Sequence, residues 1–129
     1  MNVNVEISIG EFFDKVTILE IKRERINDAG KLENINNELE ALNALLEQLP
    51  FSRDDVANEV GELKAINEKL WVIEDNIRDK EAAKSFDQAF IELARSVYIT
   101  NDKRSDVKRD INIKLGSSFI EEKSYEQYW

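Results

Sequence analysis

Residues 52–84 and 85–115 both carry the 3.6-residue periodicity of an amphipathic helix, yet each sets polar side chains on the stripe that a bundle helix keeps apolar. The first stripe reads Val56, Val60, Leu63, Asn67, Leu70, Glu74, Ile77. The second reads Phe86, Phe90, Leu93, Val97, Asn101, Arg104, Lys108, Ile111, Leu115. Burying Asn, Glu, Arg and Lys between helices is costly unless each finds a partner. A chain with this pattern therefore builds a polar network or lines a site.

Each stretch is about 30 residues, or about 45 Å of helix, and the short turn between them forces an antiparallel hairpin. Around a turn at Lys84, Glu74 faces Val97, Leu70 faces Asn101, Asn67 faces Arg104, and Leu63 faces Lys108. The polar seam residues thus gather in the half of the hairpin away from the turn. Ile77, Phe86, Phe90, Leu93 and Ala94 close the turn half.

Upstream, Val3, Val5, Ile7 and Ile9 alternate with Asn2, Asn4, Glu6 and Ser8, which is strand periodicity with no second strand to pair with. Residues 1–8 are read as an extended arm. Ser8 and Glu11 have capping-box spacing, so a helix starts there, with Phe12, Phe13, Val16, Leu19 and Ile26 as its apolar face and Arg23 on that same face. Asp28-Ala29-Gly30 is read as its stop, because Gly takes the left-handed C-cap conformation without steric cost. A further helix covers residues 31–48 on a stripe of Leu32, Ile35, Leu39, Leu42, Leu45, Leu46 and Leu49, and Pro50 ends it. Ser52 and Ser85 are read as the openings of the two long helices. Residues 117–129 form a tail with Phe119, Tyr125, Tyr128 and Trp129 among acidic side chains, an aromatic density that favours docking over free disorder.

A chain of 129 residues is expected to form one domain with a conventional core. With no Cys and no His, it has no thiolate or imidazole ligand, no disulfide and no Ser-His-Asp arrangement. No metal or cofactor is implied. No apolar run approaches the length needed to span a bilayer, so no membrane association and a cytoplasmic location are expected. The formal charge of −9 argues against nucleic acid as a partner. It is unevenly spread: residues 33–81 hold 13 acidic against 5 basic side chains, and residues 95–116 hold 6 basic against 3 acidic. A local basic cluster therefore lies beside an acidic helix.

Several strings resemble a family of small bacterial and phage proteins of uncharacterised function. They are Gly10-Glu11 with Asp14-Lys15, Thr17 to Lys22, Leu70-Trp71 with Ile73 to Arg78, Leu93 to Tyr98 with Asn101-Asp102, and Glu121 to Tyr125. The resemblance covers most of the chain and implies a shared fold. It brings no activity, ligand or catalytic residue with it.

The fold class expected is all-α: four helices in up-down-up-down order, with the extended arm and the aromatic tail. The candidate anion-binding set is Arg23, Arg95, Asn101, Arg104, Lys108 and Glu74, since Arg forks and Lys point charges suit carboxylates and phosphates. The competing reading pairs Arg104 and Lys108 with Glu59, Glu62, Asn67 or Glu74 on the neighbouring helix as an interhelical network. Carboxylates at Glu59, Glu62, Glu74, Asp75 and Glu81 read as a solvated acidic face. Two functions follow. One is a noncatalytic binding or interaction protein, as a homodimer through the arm or with a protein partner through the tail. The other is a binder of, or enzyme for, an anionic metabolite in the polar layer.

Overall fold

Side-chain oxygens decide where three of the four α-helices begin. In the computed structural model, which describes residues 1–129, the Ser8 hydroxyl accepts from the Glu11 amide at 3.1 Å and opens α1 (Ile9–Arg25). Asp28 accepts from Lys31 at 2.9 Å and opens α2 (Ala29–Glu47), while Asp87 accepts from Phe90 at 3.0 Å and opens α4 (Gln88–Leu115). A 3₁₀ turn over Arg53–Val56 precedes α3 (Ala57–Ala82). The protein is all-α, with no strand.

These caps correct two boundary expectations. Asp28-Ala29-Gly30 starts α2 rather than stopping α1, because the Asp28 carboxylate satisfies an orphan amide of the helix that follows it. Asp87, not Ser85, caps α4, and the α3–α4 turn is closed by Lys84 in the left-handed region with φ of 54°. The left-handed glycine C-cap is found at Gly116, φ 69°, at the end of α4.

The core joins all four helices around α1. Phe12, Phe13, Val16 and Leu19 of α1 meet Ile35 and Leu39 of α2, Val56 of the 3₁₀ turn, Val60 and Leu63 of α3, and Val107 and Ile111 of α4. Each such fully buried side chain contributes about 1.5–3 kcal/mol relative to exposure. Helix α1 packs on α2, α3 and α4, and α3 packs on α4, whereas α2 rests chiefly on α1. Buried residues therefore appear on almost every side of α1's first three turns, polar Asp14 and Thr17 among them.

Helix lengths then leave one end of the molecule uncovered. With 26 and 28 residues, α3 and α4 extend about 40 Å, against about 25 Å for the 17 residues of α1. The ion pairs Lys80–Asp87 at 2.9 Å, beside the turn, and Lys114–Glu59 at 3.1 Å, at the far end, tie α3 and α4 together as an antiparallel hairpin. Beyond the reach of α1, no residue between positions 74 and 99 is buried. The arm is exposed and without secondary structure, and the tail runs back along α4.

Candidate functional site

Helix α1 brings a carboxylate to the polar half of the α3–α4 hairpin. Positions 10, 14, 17 and 21 lie on one stripe of α1 by helical spacing, and all four are buried. The absence of a side chain at Gly10 lets α1 approach α4 closely. Its amide donates to Asn112 Oδ1 at 2.6 Å, and a Cβ there would collide with the Lys108 carbonyl. One turn on, that approach delivers Asp14 between the two seam helices.

Asp14 is 1% exposed and is met from both sides. From α4, Arg104 donates through Nε to Oδ1 at 3.0 Å and through Nη2 to Oδ2, a two-point fork. From α3, Asn67 Nδ2 donates to Oδ1 at 2.9 Å and to the Thr17 hydroxyl at 3.1 Å, while that hydroxyl donates to the Asp14 carbonyl at 3.0 Å. Lys108 Nζ lies 3.6 Å from Asp14, donates to Glu11 at 2.7 Å and is reached by Glu121 of the tail at 3.3 Å. No buried side-chain nitrogen or oxygen lacks a partner.

Electrostatics follow from the geometry. Burial by itself pushes the Asp14 carboxyl up, but hydrogen bonds from Arg104 and Asn67 and the charges of Arg104 and Lys108 outweigh it, holding the group below the ordinary Asp value. Its hydrogen bond to Asp14 holds the Arg104 guanidinium above its ordinary value. Burial pulls the Lys108 ammonium down, yet the Glu11 hydrogen bond and the charges of Asp14, Glu11 and Glu121 raise it overall. Three carboxylates thus surround two cations.

The six residues picked out from the sequence divide. Arg104 and Lys108 are at the centre of the layer, and Asn101 accepts from Arg104 Nη1 at 3.4 Å. Glu74 lies at the edge, in an ion pair with Arg78 at 3.3 Å. Arg95 and Arg23 stand apart, because each is exposed. Arg95 bonds Glu92 one turn before it at 3.3 Å, and Arg23 contributes only its charge near Glu20. The partners of Arg104 and Lys108 are also not those expected on α3, Glu59, Glu62 and Glu74; besides Asn101 on α4 itself and Asn67 in the shared network, they come from α1 and the tail. Asp14, Glu11, Thr17 and Asn112 join the layer in the structure and are absent from the set that the sequence points to. The stripe at 10, 14, 17 and 21 is the signal for Asp14 and Thr17; Glu11 lies beside that stripe, and Asn112 is on α4 and carries no such signal.

An open cleft of about 400 Å³ adjoins the layer, between α1, α3 and α4. Ile18, Ile21, Leu70 and Trp71 supply its apolar lining, Asn67 and Asn101 its amides, Lys22 and Arg104 its cations, and Glu74 and Asp75 its anions. No three carboxylates come together in a set that would hold a metal ion.

The structure defines an all-α protein with a charged layer, three carboxylates on two cations, set between α1, α3 and α4. The chain belongs to the family described as "Family of unknown function (DUF6165)", which it matches over residues 3–128. No curated protein and no solved structure matches it.

Proposed function

We propose that this chain is a noncatalytic interaction protein in which the Asp14–Arg104–Lys108 layer fixes the register of α1 against α3 and α4. One observation carries the reading: Asp14, Arg104 and Lys108 each bond a group of opposite charge and are each held in the charged state. Acid–base catalysis calls for a group poised near the working pH, and a nucleophilic lysine calls for a lowered pKa. Here the carboxyl is shifted down and the ammonium up. The surfaces offered to partners are the uncovered end of the hairpin, the arm and the tail. Operation as one domain in the cytoplasm, without nucleic acid, belongs to the same proposal, the last supported by the charge of −9.

The second reading, a binder of anionic metabolites, draws on the cleft beside Arg104, whose Nη1 is engaged only at 3.4 Å. Thermal shift against phosphorylated and dicarboxylate metabolites separates the two. A flat panel is the expected outcome. A ligand that stabilises the chain by about 2.7 kcal/mol at about 100 times its dissociation constant, with the shift abolished in Arg104→Met, overturns the interaction reading.

A further inference from the structure

We infer that the uncovered end of the α3–α4 hairpin is a self-association surface, on which a second copy packs antiparallel with the tip of its hairpin in the cleft beside Trp71. The inference rests on the interaction reading above and names the partner.

The cleft and the uncovered face are continuous. Asn101 and Arg104 line the cleft on α4, and stepping back from Asn101 by helical spacing passes Val97, Ala94, Phe90 and Phe86. On α3, the step from Leu70 and Glu74 leads to Ile77. Phe86 is 56% exposed although its ring stacks edge-on against Phe90 at 5.2 Å, and Ile77, Phe90, Ala94 and Val97 each keep part of their surface in water. Two helices alone leave one flank of such a stripe in water, and a second pair closes it into a four-helix arrangement. A two-fold axis across the middle of the stripe sets each tip against the other copy's cleft.

Charge favours a second copy over an unrelated partner. The cleft presents Asp75 and Lys22 without an ion pair inside the chain, and the hairpin tip presents Lys84 and Glu81, joined only by an exposed contact at 3.7 Å. Antiparallel pairing sets Lys84 against Asp75 and Glu81 against Lys22, and the symmetry supplies both pairs twice. Phe86 then meets the apolar lining formed by Leu70 and Trp71.

Two measurements on the full chain decide it. Light scattering coupled to gel filtration is expected to give twice the 15.0 kDa chain mass, with Phe86→Glu raising the dimer dissociation constant at least tenfold while far-ultraviolet circular dichroism is unchanged. The chain has no cysteine, so K84C/D75C introduces the only two thiols. Asp75 is on α3 and Lys84 in the turn after it; about 10 Å of helix separates Asp75 from Ala82, and Lys84 lies beyond that end, too far to bridge within a copy. Oxidation is expected to give a reducible covalent dimer. A monomer without cross-linking, or a dimer that neither substitution affects (the result if the arms pair instead), overturns this inference and leaves the interaction reading intact. A ligand in the thermal-shift panel would overturn that reading and not the dimer.

Discussion

Asp14 is the carboxylate on which α1, α3 and α4 converge, and removing its charge strands the cations around it. In Asp14→Asn, Arg104 faces a neutral amide and Lys108 keeps only Glu11 and Glu121. The expected loss is about 3 kcal/mol, at the lower end for a broken buried pair because Arg104 keeps some contact with solvent. Urea unfolding at neutral pH checks it. The pH dependence has a definite sign. The folded pKa of Asp14 lies below the unfolded one, so its contribution is complete above about 3.9 and is lost as pH falls through the folded value. Asp14→Asn should therefore lose less stability than the native chain between neutral and strongly acid pH. An equal acid slope in both would remove Asp14 from the account.

At the scale of the element, the entry of α1 depends on a hydrogen atom at Gly10. Alanine is the better helix former by about 1 kcal/mol, yet at position 10 its Cβ has the Lys108 carbonyl in the way and Asn112 Oδ1 at 3.0 Å. Gly10→Ala is expected to cost about 1–3 kcal/mol through displacement of α1 from α4. Gly61 is the internal control, since it is exposed in α3 and a Cβ there meets nothing within 4 Å. Gly61→Ala should stabilise by about 0.5–1 kcal/mol. Opposite signs for the same substitution in two helices, read from urea midpoints, test the packing of α1 directly.

For the molecule as a whole, the tail completes the charged layer from outside. Glu121 reaches Lys108 at 3.3 Å, Glu122 reaches Arg109 at 3.1 Å, and the Tyr128 hydroxyl donates to Asp102 beside the ring of Tyr98. That hydrogen bond to Asp102 is the main cause that pushes the Tyr128 phenol up to about 12. Ultraviolet titration of the three tyrosines should show one ionising near that value. Asp102→Asn should bring it down toward the ordinary phenol range. Three tyrosines titrating together in the native chain would mean that the tail is not held on α4.

Much of this was legible from periodicity. The helices, the antiparallel hairpin and the grouping of Asn67, Arg104 and Lys108 in one half of it follow from local hydrophobic spacing and a short turn, both of which act within a few residues. The partners of those groups did not follow, because Asp14 and Glu11 lie 90 and 97 residues from Arg104 and Lys108, and only packing decides which carboxylate arrives. The same holds for Arg23 and Arg95: spacing puts Arg23 on the apolar face of α1 and Arg95 near the seam of α4, and the folded chain leaves both exposed. What the sequence by itself determined was that charged side chains would be placed on a helical seam. That the seam is closed by α1, through the gap left at Gly10, was decided by the tertiary structure, because a close backbone approach is a property of two elements together.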